Sequence, residues 1–367
     1  MRITRSSAVG AVAIVGALVL SACGSDNTST GGSGSNGSAS VTAGDCFSGT
    51  LDAEGSTAQK TAIEQAIKTY QQACSDATIN YNATGSGSGI KQFTAGNVKF
   101  AGSDSALKPA EQTAATATCG SPAWDLPMVA GPIAVVYNVK GVDKLVLNAE
   151  VMAKIFQGVI TTWDDPAIKA LNSGATLPST AIKVFFRSDD SGTTENFTKY
   201  LKAVAPDAWP ADPAKKWAGK GEGKEKSAGV STAVAQTDGG ITYTELSYAQ
   251  QNKLSMAQVD TGSGAPVELT GESAGKAIAV ATQAGEGNDL ALKLDYATKV
   301  EGAYPIVLVT YEIVCSKYAD PAVGKNVKSF LTSFASDSTQ QSLSALGYAP
   351  LPAEVATKVK TAIAAIG

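Results

Sequence analysis

From Cys46 onward the chain alternates short apolar runs with stretches of helical period. Residues 49–53 read as a strand leading into Gly55-Ser56-Thr57, and the following stretch puts Ile63, Ala66, Ile67 and Tyr70 on one helical face. Ser56-Thr57-Ala58-Gln59 has the form of a capping box at that helix start. Residues 78–81 read as a second strand, followed by Gly85-Ser86-Gly87-Ser88-Gly89 and a helix from about Ile90; 98–101 read as a third strand ending at Ser103-Asp104. This order predicts a parallel sheet with helices on its faces. Residues 127–139 form a long apolar strand, then a helix spans 148–157, and Asp165-Pro166 starts another with Asp165 as cap. Residues 181–187 read as a buried strand, 213–229 as a loop with a solvated face, and 239–243 as a short strand. A second long apolar strand, 304–314, pairs with 127–139 and precedes helices from about Pro321. The pattern predicts two α/β lobes joined by two crossings, with a ligand cleft between them. The lobes are expected at 45–139 with 305–367, and at 140–304.

The amino-terminal stretch carries a different signal. Arg2 and Arg5 precede an apolar run over 8–20 that is short for a membrane span, and Leu20-Ser21-Ala22-Cys23 resembles a bacterial lipobox. Residues 1–22 therefore read as a lipoprotein signal peptide and Cys23 as the lipidation site. The protein is expected on the extracytoplasmic face of the cell membrane, held by its acyl chains. Residues 24–44 are almost wholly Gly, Ser, Thr and Asn, a flexible leash with a reach on the order of 25 Å. Cys46, Cys74, Cys119 and Cys315 then remain, an even number that in an exported chain implies two disulfides in one of three connectivities. No pair has close metal-ligand spacing, so no metal site is expected among them. The start of the first strand and the end of the first helix share a sheet edge, which favours Cys46–Cys74 and leaves Cys119–Cys315.

The chain contains no histidine, which removes the commonest general base and metal ligand together. Its 29 basic residues less Arg2 and Arg5 leave 27 against 33 acidic ones, a net charge of −6. With no basic stripe interleaved with aromatics, nucleic acid is not an expected partner, and an anion would have to be captured by local donors. Three segments supply such donors: Gly55-Ser56-Thr57, Gly85-Ser86-Gly87-Ser88 and Ser191-Gly192-Thr193 each lie between a strand end and a helix start. Helix starts offer unpaired N–H groups, and hydroxyls add to them. Arg187 ends a strand and brings a full charge and a two-pronged fork, with Asp189 placed to orient it. The rival reading of that pair is purely structural. Asp104, at another strand end, would repel a fully ionised guest and accept a hydrogen bond from one that keeps a proton. A solvent-facing turn aspartate is its plainer reading.

The stretches ATGSGSGIKQF (83–93), FAGSD (100–104), GPIAVVYNVKG (131–141), FQGVITTWDDPAIKALN (156–172), FFRSDDSGTTENFTKYL (185–201), GGITYTELSYA (239–249) and YPIVLVTY (304–311) resemble, in order, the phosphate-binding protein of the high-affinity phosphate ABC importer. The resemblance implies a two-lobed periplasmic-binding-protein fold of type II-like architecture that closes on one phosphate. It implies a monomer without cofactor that hands phosphate to membrane permease subunits. Position by position it implies phosphate contacts from Thr57, the Ala58 N–H, Ser86, Asp104, Arg187, Ser191, Gly192 and Thr193, with Asp189 orienting the arginine. Ala58-Gln59 and Asp190 depart from the family pattern, and 213–229 matches it poorly. The competing readings are a phosphatase with Ser191 as nucleophile, and a binder of arsenate or an organic phosphate.

Overall fold

The computed structural model describes residues 46–349 and 351–367. The signal segment, Cys23 and the 24–44 leash lie outside the described residues.

In chain order the elements are β1 (Gly49–Gly55), α1 (Lys60–Ala73), β2 (Ala77–Ala83), α2 (Ser86–Thr94), β3 (Phe100–Ser103), α3 (Pro109–Cys119) and β4 (Ala123–Asn138). Next come β5 (Val146–Asn148), α4 (Ala149–Phe156), α5 (Pro166–Leu171), β6 (Lys183–Arg187), α6 (Gly192–Val204), β7 (Glu222–Lys224), α7 (Lys226–Ala235), β8 (Gly240–Glu245) and α8 (Leu246–Gln251). The chain closes with β9 (Ser255–Met256), β10 (Gln258–Asp260), α9 (Gly271–Ala279), β11 (Thr282–Gln283), β12 (Leu292–Lys293), β13 (Val307–Cys315), α10 (Pro321–Phe334), α11 (Asp337–Ser344) and α12 (Ala353–Ala364).

One sheet runs through the molecule in the order β2-β1-β3-β13-β4-β8-β6-β7. Its two ends are parallel: β1 pairs with β2 and β3 on one side, and β6 with β7 and β8 on the other. The long apolar strands β4 and β13 are antiparallel partners in the middle, as their sequence predicts. β4 is long enough to serve both halves, pairing with β13 over Ala123–Pro132 and with β8 over Ile133–Asn138. Among the described residues two large apolar cores result, with a small third cluster around Ala274, Ile278 and Val307. One gathers Leu51, Ile63, Tyr70, Phe100, Ile313 and Phe330 under α1 and α10; the other gathers Val135, Phe156, Trp163, Phe197, Trp209 and Tyr243 around β8. The alternation of elements predicts the two α/β lobes, and the resemblance implies that they form the two-lobed periplasmic-binding-protein fold, which this is. The Cys46–Cys74 and Cys119–Cys315 disulfides are both formed.

Three local expectations change, and one helix goes unpredicted. The capping box at Ser56–Gln59 does not form: α1 begins at Lys60 without a side-chain cap, because Ser56 Oγ accepts from the Ala58 N–H at 3.0 Å and the Ser56 N–H donates to the Gly102 carbonyl at 2.8 Å. α2 begins at Ser86 rather than near Ile90, so its first turn is the glycine-serine run itself. Small residues are required there: a Cβ on Gly87 would lie 2.4 Å from the Asp190 Cβ. The 213–229 segment is not simply a solvated loop. It contains β7 and the start of α7, and it buries Lys215 against Glu195 at 3.4 Å. Finally, α3 is a helix that its Ala- and Thr-rich pattern, with weak amphipathicity, does not announce.

Candidate functional site

The carboxyl ends of six strands converge on one buried polar cluster. From the first half of the sheet come Ser56, Thr57 and Ala58 after β1, Ser86 after β2, and Asp104 after β3. From the second half come Arg187 at the end of β6, Ser191 to Thr193 after it, Ser227 after β7, and Glu245 at the end of β8. All of these except Ala58 and Gly192 are buried polar or charged residues, which is where a sequence of this composition would normally not place them.

Arg187 is 2% exposed and is held on both edges. Its Nε donates to Asp189 Oδ1 at 2.7 Å and its Nη2 to Asp189 Oδ2, a two-pronged pairing. The Lys226 N–H donates to Asp189 Oδ1 at 2.9 Å, fixing the carboxylate from α7. Nη1 points the other way, donating to Ser227 Oγ at 3.0 Å and towards Thr193 Oγ1 at 3.4 Å. Burial would pull the Arg187 guanidinium down and push the Asp189 carboxyl up, but their mutual hydrogen bonds and charge reverse both. The pair is ionised, and Arg187 brings a fixed positive charge into a dry site. The expected orienting role of Asp189 thus has its geometry.

Asp104 is buried at the opposite wall. Ser56 Oγ and Thr310 Oγ1 donate to its Oδ1, the latter at 2.8 Å, and Ser86 Oγ donates to Oδ2 at 3.0 Å. Its N–H donates back to Ser86 Oγ at 3.1 Å. Burial pushes its carboxyl up to about 6; the Ser56 hydrogen bond opposes this and the charge of Glu245 adds to it. Near neutral pH it is therefore mostly ionised, and it has spare acceptor capacity only for a strong donor.

The remaining expected residues have defined positions. The Ala58 N–H donates to Ser56 Oγ at 3.0 Å, and Ser191 Oγ caps α6 by accepting from the Thr194 N–H at 3.2 Å. Thr193 Oγ1 donates to Glu245 Oε1. Gly192 has no room for a side chain: a Cβ there would lie 2.5 Å from Ser86 Oγ and 2.6 Å from the Asp104 Cβ. The two walls also meet directly, Thr57 Oγ1 against Ser227 Oγ at 2.9 Å and Asn196 Nδ2 donating to the Asp104 carbonyl at 2.6 Å.

Asp190, the departure in RSDDSG, faces away from this centre. Its carbonyl accepts from the Gly87 N–H at 3.0 Å and its carboxylate pairs with Lys91 at 3.1 Å, so it links the two walls at their rim. Two site residues escaped the sequence reading. Ser227 follows a three-residue strand, Glu-Gly-Lys, that has no apolar signal. Glu245 lies two residues past the predicted end of its strand, and only a carboxylate at a buried strand end marks it.

Comparison with known proteins identifies the family. The profile of the PBP superfamily domain matches residues 40–338. The phosphate-binding protein PstS 3 of Mycobacterium tuberculosis is 48% identical over 371 aligned positions that span 100% of both chains. PstS 2 of the same organism is 46% identical over 373 positions, again across 100% of both. Among solved structures, the high affinity periplasmic phosphate-binding protein PfluDING, bound with phosphate, superposes with a TM-score of 0.70 over 85% of this chain and 93% of its own. At 23% identity that likeness speaks for the fold. The chain belongs to the PBP superfamily and, within it, to the family of PstS phosphate-binding proteins.

Proposed function

We propose that this protein is an extracytoplasmic solute-binding lipoprotein that takes one inorganic phosphate between its lobes and delivers it to the permease of an ABC importer. The observation that carries the reading is the opposition of Arg187 and Asp104 across a buried cluster of hydroxyls and helix starts. A tetrahedral oxyanion that keeps a proton suits both walls at once. Arg187, held at Nε and Nη2 by Asp189, meets the charge, and Asp104 accepts a hydrogen bond from the retained proton. Thr57, Ser191 and the Gly192 N–H would donate to the remaining oxygens, joined by the Ala58 N–H, Ser86 and Thr193 once these turn from Ser56, Asp104 and Glu245 to the ligand. Such donors are worth most in a site from which water is excluded. The leash and the Cys23 anchor would keep the protein near its permease. We place the crossings between the lobes within β4 and just before β13, close to the division 45–139 with 305–367 against 140–304.

Ser227 is an addition to this set. Its Oγ lies between Arg187 Nη1 and Thr57 Oγ1, so it fixes the arginine's free edge and touches both walls. Ser227→Ala is expected to weaken phosphate binding by about 1 kcal/mol, the size of one buried hydrogen bond. Calorimetric titration of the variant checks this, and an unchanged affinity would remove Ser227 from the site.

Binding without turnover is the reading favoured over a phosphatase. A serine nucleophile needs a neighbouring base; the chain has no histidine, and Ser191 Oγ serves as a helix cap. The test is equilibrium dialysis of the purified chain with labelled phosphate, followed by incubation with a phosphomonoester. One phosphate retained per chain and no released product are expected. Steady release of product would instead make it an enzyme.

A further inference from the structure

Strand β13 carries an ionisable side chain inside an otherwise apolar run. Glu312 is fully buried and neither of its carboxyl oxygens has a hydrogen-bond partner. It lies opposite Gly102 in the β3–β13 ladder. Thr310, two residues earlier and so on the same sheet face, is the residue that donates to Asp104. The neighbouring space is filled by Gln59 and Tyr81: a Cβ on Gly102 would meet Gln59 Nε2 at 2.2 Å and the Tyr81 hydroxyl at 2.4 Å. Gln59 Nε2 donates to the Tyr81 hydroxyl at 3.0 Å, which donates to the Ser56 carbonyl at 2.8 Å, while Gln59 Oε1 has no partner. Glu312 therefore lies in a buried polar layer that reaches Ser56 through the Tyr81 hydroxyl and, through Ser56, Asp104.

The groups that bear on Glu312 offer its carboxylate no counter-charge. Asp104 approaches from the end of β3 and Tyr81 from β2, while β4 contributes Leu126 opposite it. Tyr348 reaches it only through Tyr81, and Glu245 through Asp104. Burial pushes the Glu312 carboxyl up to about 8; the Gln59 amide pulls the other way, without closing a hydrogen bond, and the Asp104 charge adds to the rise. A buried carboxylate in such surroundings is more stable as the acid.

We propose that Glu312 is a positioning residue of the binding site, acting through Asp104. As an uncharged acid it leaves Asp104 free to remain ionised and accept a hydrogen bond from the ligand's proton; as a carboxylate it adds a second unpaired charge that opposes the anion. This rests on the phosphate reading given above. The layer makes the site's preference for a protonated oxyanion depend on a second proton that the ligand never touches.

The test compares phosphate affinity of the wild-type protein and Glu312→Gln between pH 6 and pH 9.5. Ionisation of phosphate is common to both proteins and cancels in the ratio. That ratio is expected to be near one at pH 6 and to favour the variant on the order of tenfold at the alkaline end, as the wild-type carboxyl ionises. A ratio that stays constant would overturn the inference and leave phosphate binding untouched; absence of phosphate binding by the wild type at every pH would overturn the underlying reading instead. Carbon-13 glutamate NMR of the wild-type protein gives a check that needs no variant. One side-chain carboxyl titrating near pH 8 supports the assignment, and every glutamate titrating below about pH 6 overturns it. Stability gives the same sign. The folded carboxyl holds its proton more tightly than the unfolded chain does, so its contribution is fully present below the unfolded value and is lost as pH rises through about 8. Denaturant unfolding should show that slope in the wild type and its loss in Glu312→Gln; identical slopes would count against the proposal.

Discussion

Arg187→Ala is expected to weaken phosphate binding by about 3–5 kcal/mol, at least a hundredfold. The substitution removes the guanidinium that lines the site and leaves the Asp189 carboxylate without its partner, so the pocket changes from net attractive to repulsive. Arg187→Lys separates the two contributions. It restores a charge but not the fork that holds Asp189 with two nitrogens and Ser227 with a third, and it should recover only part of the loss. Calorimetric titration at pH 7 measures both variants. That pH is well clear of the Asp189 transition: its folded value is depressed, so its stabilisation is present above the unfolded value and lost only as pH falls. Circular dichroism should show the fold intact. Unchanged affinity in Arg187→Ala would mean that another cation receives the ligand.

Asp104→Asn has the second largest expected effect, and it concerns selectivity more than strength. In the wild-type protein the carboxylate already accepts from Ser56, Ser86 and Thr310, so any further partner must bring its own proton. Phosphate can do so. Sulfate is fully ionised and would face the carboxylate as an unscreened like charge in a dry site. The amide removes that repulsion. Phosphate should weaken by about 1.5–3 kcal/mol, the worth of a hydrogen bond to a charged group, while sulfate binding becomes measurable. Lowering the pH should move the wild-type protein in the same direction. Asp104 is held up to about 6, so between pH 7 and pH 5 it passes from carboxylate to acid and the discrimination against sulfate should narrow. A variant that still rejects sulfate completely would show that shape rather than charge excludes it.

How far the site could be read from sequence follows from what each residue leaves behind in the local pattern. Arg187, Asp189 and Ser191 to Thr193 lie within seven residues, at a strand end followed by a helix start, so their chemistry and their geometry are both local. Asp104 and Ser86 are legible for the same reason. The long strands β4 and β13 stand out because a strand buried on both faces is a continuous apolar run. Ser227 is different: β7 is three residues at an edge, Glu-Gly-Lys, and its pairing with β6 depends on tertiary context that no local pattern encodes. The capping box fails because the Gly102 carbonyl, on the neighbouring strand β3, takes the Ser56 N–H that the box would need. Glu312 did leave a signal, a lone carboxylate in an apolar strand. Its meaning depends on Gln59 and Tyr81, which reach it from other elements.

The direct test of phosphate recognition is a calorimetric titration of the wild-type protein, freed of bound ligand, with phosphate and with sulfate at pH 7. Saturable binding of one phosphate per chain, with no heat from sulfate at the same concentrations, is the expected result. Equal affinity for the two anions would contradict the role given to Asp104, and with it the account of how this site recognises phosphate.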